Sequence, residues 1–194
     1  MIIGDLDSLN KDTERYFRER GTAIIKDDDQ YSTDFTKALR HIAKHQDWWL
    51  DSFNKTHGRQ EQSLKVLVFG GLGGRADQAF SQIHHLYAAA QEPALNRLEL
   101  YLLTGESIIF LLRQGVNVVE TPLGLLSENI GIIPIAKPAI ISTSGLEWDV
   151  QNWETQFGTQ ISTSNHIRAP QVLVTTSERV LFTTEIQQKL HGLC

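Results

Sequence analysis

Cysteine is nearly missing from this chain of 194 residues, with one copy, Cys194, at the last position. A lone cysteine closes no internal disulfide, so the fold must stand on a buried core, and the composition suits a reducing compartment, most simply the cytosol. The Asn54-Lys55-Thr56 sequon accordingly carries little meaning. Long apolar runs are missing too. The longest, such as Ser107 to Leu112, reach about six residues against the ~20 of a membrane-crossing helix, so no membrane partner is expected. Met1 leads into Ile2-Ile3-Gly4-Asp5 with no basic stretch, and no secretory leader is expected. Positive charge is short, with 18 Lys and Arg against 23 Asp and Glu. An acidic chain without a basic stripe is a poor partner for nucleic acid. A phosphorylated small molecule remains compatible, because a metal ion reverses the local field.

Several catalytic signatures are also absent. No Gly-x-Ser-x-Gly elbow is present, which argues against a serine hydrolase. The histidines at 41, 45, 57, 84, 85, 166 and 191 show no zinc-type spacing, and His41 and His45 read as surface residues beside Lys37 and Lys44.

What is present alternates in period. Leu9, Thr13, Tyr16 and Phe17 mark a short helix ended by Gly21, and Thr22–Lys26 reads as a strand. Phe35, Ala38, Leu39, Ile42 and Ala43 predict an amphipathic helix over 32–44, with Ser32 or Thr33 as its cap. Residues 51–63 read as a polar loop. Strand 65–69 enters a glycine-rich turn and a helix over 76–90, and 98–103 and 107–112 are further strands. Beyond Gly115, short extended segments at 116–120, 131–135, 139–144, 160–164, 172–176 and 179–184 are separated by turn residues. The expected architecture is a three-layer α/β domain with a mostly parallel sheet over 1–115, then an antiparallel β-sandwich over 116–194.

Three acidic segments lie where strands meet loops or helices. In Gly4-Asp5-Leu6-Asp7-Ser8, an extended backbone points Asp5 and Asp7 the same way, so they share one hard cation or form a solvated turn capped by Ser8. In the second, Asp27-Asp28-Asp29 reads as a solvated run, and Asp34 opens a helix directly after a strand, close to where open α/β sheets bind ligands. Asp34 alternatively only complements the helix dipole. In the third, Gly70-Gly71-Leu72-Gly73-Gly74-Arg75-Ala76-Asp77, exposed N–H groups at a helix start offer an anion site and Arg75 a guanidinium fork. No Gly-Lys-Ser/Thr follows, so it is not a Walker A loop. Gly71-x-Gly73-x-x-Ala76 meets a loose dinucleotide fingerprint, but the acidic residue expected at the end of the next strand is absent, since Glu99 lies inside it. A purely structural turn is the third reading.

In this order the three segments resemble those of thiamine pyrophosphokinases: Gly4-Asp5-Leu6-Asp7-Ser8, Ser32-Thr33-Asp34-Phe35-Thr36-Lys37-Ala38, and Gly70 through Asp77-Gln78. The likeness continues through 106–112, Gly145-Leu146-Glu147-Trp148, Phe157-Gly158 and Ser162-Thr163-Ser164-Asn165. The resemblance implies an ATP-binding α/β domain followed by a thiamine-binding β-sandwich, in a homodimer whose active sites are shared between subunits. It implies transfer of pyrophosphate from ATP to thiamine, with Mg²⁺ held by Asp5, Asp7 and Asp34, and with Asp77 completing the catalytic carboxylates. ATP would meet Asp5, Asp7, Ser8, Thr33, Asp34, Lys37, Gly73, Gly74, Arg75 and Asp77. Thiamine would meet Gln30, Trp148, Ser162 and Asn165, Trp148 being alternatively a core residue of the sandwich. The general base is not assigned. Two departures stand out: His84 or Gln82 occupies a position where relatives often carry Asn, and the family's preceding strand and Asp-Gly-Gly-Ala-Asn-like turn are missing before Gly4. On that pattern the chain is expected to be shortened and weaker than a longer relative. The competing functions are a nicotinamide-dependent oxidoreductase built on the glycine turn and a non-catalytic thiamine- or nucleotide-binding protein.

Overall fold

A computed structural model describes residues 1–58, 60–122 and 124–187; Cys194 and His191 lie outside them. The chain forms two compact units, Met1–Leu64 with Ala88–Glu99, and Lys65–Tyr87 with the described residues from Leu100 on.

In the first unit, β1 (Ile2–Gly4) pairs in parallel with β2 (Ile24–Lys26), Gly4 facing Lys26. Helix α1 (Lys11–Glu19) lies between them and starts at Asn10, whose Oδ1 accepts from Thr13 N at 2.8 Å. Gly21 follows with φ of 74°, the left-handed turn expected of it. Helix α2 (Asp34–Lys44) is capped by Thr33, whose Oγ1 accepts from Thr36 N at 3.2 Å, and it buries Lys37, Leu39 and Ala43. The expected loop at 51–63 is largely helix: α3 spans Gln46–His57 and ends at Gly58, left-handed at φ of 61°. Its apolar stripe is weak, with only Leu50 buried, so periodicity does not announce it. Tertiary ties hold it instead. Asn54 exchanges two hydrogen bonds with the Glu61 backbone, and Asp47 pairs with Arg97 at 2.5 Å.

From β3 (Leu64–Phe69) the chain enters α4 (Ala76–Gln91) and returns in β4 (Leu98–Leu103) and β5 (Ser107–Leu112). There follow β6 (Gly115–Glu120), β7 (Leu126–Ile133), β8 (Ala139–Ser144), β9 (Trp153–Thr155), β10 (Ser162–His166), β11 (Gln171–Thr176) and β12 (Val180–Ile186). They make a six-stranded sheet ordered β10-β7-β12-β5-β4-β3 and a four-stranded sheet ordered β6-β11-β8-β9. β5 pairs antiparallel with both β4 and β12, so the strands at 98–112 continue into the sheet of the C-terminal half. Strand β9 escapes sequence reading because it has only three residues. Inward side chains of the two sheets meet in one core, with Ile132, Ile141, Val172, Val174, Val180 and Phe182 fully covered. In β11 strict alternation buries Val172 and Val174 and leaves Leu173 outside, as a half-buried strand requires. Among the described residues no helix is long and apolar enough to cross a membrane.

Candidate functional site

The first unit brings two acidic segments together. β1 ends at Gly4 and delivers Asp5 to the start of α2, where Asp5 N donates to Asp34 Oδ1 at 3.1 Å. Lys37 lies one turn along α2 and reaches the same oxygen with Nζ at 3.3 Å; its side chain is 2% exposed against 53% for Asp34. Asp7 N donates to Asp5 Oδ1 at 3.1 Å, with Leu6 between them left-handed at φ of 64°. That N–H chiefly holds the Asp5 carboxyl below the usual range, against partial desolvation and with Lys37 and Lys26 assisting. Gly4 is there for space: a Cβ would stand 2.6 Å from Asp34 Cγ and 2.7 Å from both its oxygens.

The other residues expected here are less engaged. Asp7 and Ser8 are exposed on the turn, and Thr33 Oγ1 is committed to capping α2. Gln30 is exposed, and its amide reaches only Asp28 O at 3.4 Å. Asp27 and Asp29 accept from the N–H groups of Asp29 and Tyr31, so the acidic run is a series of self-closed turns. Among the described residues no three His, Cys, Asp or Glu side chains form a ready metal cage. Carboxylate oxygens, such as those of Asp5, Asp7 and Asp34, are of the donor type that Mg²⁺ takes, usually one or two carboxylates with water and phosphate completing the shell.

In the second unit, Arg75 forms a two-pronged pair with Asp77, Nε to Oδ1 at 3.1 Å and Nη2 to Oδ2 at 2.6 Å, and this holds the Asp77 carboxyl low. The left-handed glycines of the turn are Gly70 and Gly74, at φ of 76° and 78°, rather than Gly71 and Gly73 of the dinucleotide fingerprint. Gly73 and Gly74 open onto free space, whereas Gly71 is packed against Gln82. His84 is exposed. In the first unit, Glu99 accepts from Ser63 Oγ at 2.8 Å.

The sandwich carries a cavity of about 250 Å³, lined by Ile141, Trp148, Trp153, Ser162, Thr163 and Asn165 among others. Trp148 is 55% exposed, so it is not a core residue. Its turn is closed by Asp149, which accepts from Thr143 Oγ1, Gly145 N and Leu146 N at 2.9–3.1 Å. Gly145 permits this at φ of 98°, where a Cβ would also meet Gln171 O at 2.6 Å. Asn165 is buried and spends its amide on the Trp148 backbone, Oδ1 from Trp148 N at 3.1 Å and Nδ2 to Trp148 O at 2.9 Å. Neighbours Ser162 and Thr163 both line the cavity because β10 shifts register between Ser162 and Asn165, with Ser164 left-handed at φ of 56°. Sequence reading missed Trp153 and Thr163. A tryptophan in a stretch rich in Asn and Gln was the available signal for the first, and an irregular strand left none for the second.

Comparison with known proteins bears on both units. Residues 1–97 match the family described as thiamin pyrophosphokinase, catalytic domain, and residues 117–181 match thiamin pyrophosphokinase, vitamin B1 binding domain. Thiamine pyrophosphokinase of Saccharomyces cerevisiae is 31% identical over 84% of this chain and 61% of its own length. Thiamine pyrophosphokinase 1 of Arabidopsis thaliana is 30% identical over 97% of this chain and 66% of its own. The chain therefore spans less than two thirds of the length of these curated relatives. Among solved structures, thiamin pyrophosphokinase from Candida albicans superposes with a TM-score of 0.81 at 27% identity, covering 96% of this chain and 72% of that one. The yeast enzyme gives a TM-score of 0.79 at 30% identity, covering 95% and 68%. None of these likenesses favours the nicotinamide reading of the glycine turn. With a match across half of its length in the catalytic description alone, the chain belongs to the thiamin pyrophosphokinase family.

Proposed function

We propose that the chain transfers pyrophosphate from ATP to the thiamine hydroxyl. The observation that carries this reading is the pairing of Asp5, Asp34 and buried Lys37 at the end of β1, in a chain whose other unit holds a cavity flanked by Trp148 and Ser162. The thiamine oxygen attacks the β-phosphorus of ATP and the bond from that phosphorus to the bridging oxygen of the α-phosphate breaks. AMP leaves with the bridging oxygen, and the hydroxyl proton passes to solvent or a carboxylate. Such chemistry asks mainly for in-line positioning and neutralisation of phosphate charge. Asp5, Asp7 and Asp34 would hold Mg²⁺, which when bound supplies that neutralisation. Lys37 holds Asp34 in place, and Asp77 fixes the Arg75 fork for a phosphate, while Ser8, Thr33, Gly73 and Gly74 offer further polar contacts to the nucleotide. Trp148 stacks on thiamine, Ser162 and Gln30 contact it, and Asn165 sets the Trp148 backbone. The working form is a homodimer with shared sites, and scarcity of cysteine supports a cytosolic location.

The test is incubation with ATP, Mg²⁺ and thiamine, followed by chromatography of the nucleotides. AMP formed one-for-one with thiamine diphosphate is expected. ADP as the thiamine-dependent product overturns pyrophosphoryl transfer, and no turnover with ATP binding retained leaves a binding protein on the same fold.

A further inference from the structure

Trp148 is fixed at its backbone by Asn165, but those bonds do not fix the indole. A half-exposed indole keeps a choice of side-chain rotamers, and a stacking face that wanders binds a flat ligand poorly. One neighbour restrains it: the His166 ring meets the indole with centroids 5.0 Å apart and planes tilted by 45°. His166 is itself held from several sides. Its Nδ1 lies 2.7 Å from Glu147 Oε2 and 3.2 Å from Arg168 Nη2, and its carbonyl accepts from Glu147 N at 2.9 Å. Arg168 bonds the same Glu147 carboxylate and also Glu128 Oε2, the latter at 2.5 Å. The cluster thus joins β7, the turn after β8, and the end of β10, and the transferase reading uses none of its members.

Single surface ion pairs contribute little to stability, so thrift does not explain four groups converging behind one exposed tryptophan. Glu147 and Glu128 set two carboxylates against the one Arg168 guanidinium near the indole, and an electron-rich aromatic face among carboxylates suits a cationic ligand.

We propose that His166 is a positioning residue. Its imidazole, pinned at Nδ1 by the Glu147 carboxylate that Arg168 in turn holds, keeps the Trp148 indole as a fixed face for a flat, cationic heteroaromatic ligand in the adjoining cavity. It thereby sets affinity for that ligand rather than the rate of chemistry. The inference rests on the thiamine reading of the cavity.

The test uses the full chain labelled with 5-fluorotryptophan, the Trp148 ¹⁹F resonance being assigned with Trp148→Phe. His166→Ala should shift and broaden that resonance and leave those of Trp48 and Trp49 in place. It should weaken thiamine binding, and raise KM for thiamine, about fivefold, the scale of one aromatic contact. The kcat and the KM for ATP should stay within about twofold on the same scale. His166→Phe, which restores a ring, should recover most of the affinity, and Glu147→Gln should show the same changes at smaller size. An unmoved Trp148 resonance in His166→Ala overturns the proposal whether or not thiamine binds. So does equal impairment of the Ala and Phe variants, or a kcat that falls as far as thiamine affinity. A wild-type chain that binds no thiamine, with the resonance still moving in His166→Ala, sinks the ligand assignment together with the transferase reading and leaves the ring contact standing.

Discussion

Gly4→Ala is a one-carbon probe of the acidic site. The new Cβ would stand 2.6 Å from Asp34 Cγ and 2.7 Å from each carboxylate oxygen. Comfortable contact begins near ~3.5 Å, so the carboxylate must retreat by about 1 Å. It can, because it ends a rotatable side chain, and Gly4 has no left-handed backbone that alanine would refuse. Asp34 Oδ1 already stands 3.1 Å from Asp5 N and 3.3 Å from Lys37 Nζ, and such a retreat carries the first past hydrogen-bonding range. Losing that bond costs about 1 kcal/mol, and alanine returns roughly 0.4–1 kcal/mol by restricting the unfolded chain. The melting temperature should therefore move by no more than about 2–4 °C. Turnover should fall ~10²-fold, because a positioned charge has shifted by about 1 Å. AMP release in the presence of Mg²⁺ and a thermal melt on the same preparation read the two effects. Gly105→Ala, whose Cβ meets nothing within 4 Å, is the silent control. Wild-type turnover in Gly4→Ala refutes the placement argument, and a collapse of melting temperature alongside activity refutes the claim that the lesion is local.

Asp34→Asn should lower turnover at least ~10²-fold and also cost roughly 1–3 kcal/mol of stability, because it strands the buried Lys37 ammonium beside a neutral amide. Asp34→Asn with Lys37→Met should regain the stability and not the activity, and a double variant no steadier than the single one in urea contradicts this. Ser162→Ala should raise KM for thiamine about fivefold, the worth of one hydrogen bond, and leave KM for ATP alone. Mixing its subunits with Asp34→Asn subunits should restore part of the activity, and none in proven heterodimers argues against shared sites. His85 is pushed below its ordinary 6.5 by burial, with His84 adding to it. The unfolded chain therefore takes up that proton first, so stability falls as pH drops from 6.5 towards the lowered value and does not depend on this group above 6.5. His85→Gln should flatten that slope in urea midpoints, and an unchanged slope rejects the assignment.

Elements with strong local signals were legible in advance. A cap of α2 at Ser32 or Thr33, which the structure resolves to Thr33, Gly21 after α1 and the bounds of β8 follow from cap chemistry and alternation. Helix α3 was not, because Asp47, Asn54 and Leu50 act through Arg97, the Glu61 backbone and the core rather than through a periodic stripe. The strands at 98–112 were legible but their partners were not, for a similar reason. Ser107–Leu112 reads as a buried strand in either kind of sheet, and only its pairing with β12 assigns it to the sandwich.

At the acidic site, residue types were legible and their division of labour was not. Three nearby aspartates suggest a cluster that repels itself until a cation arrives. The chain balances much of that charge with its own donors: Asp7 N on Asp5, Asp5 N on Asp34, and the Lys37 ammonium on Asp34. The resemblance offers Lys37 as a nucleotide contact, and its burial against Asp34 becomes visible only in the fold. Charge balanced in this way leaves less carboxylate repulsion for the proposed Mg²⁺ to relieve. The oxygens that remain open on Asp5, Asp7 and Asp34 suit a cation that arrives with its own phosphate ligands and departs with them. On the proposed reading, the arrangement therefore favours an ion shared with substrate over a resident structural one.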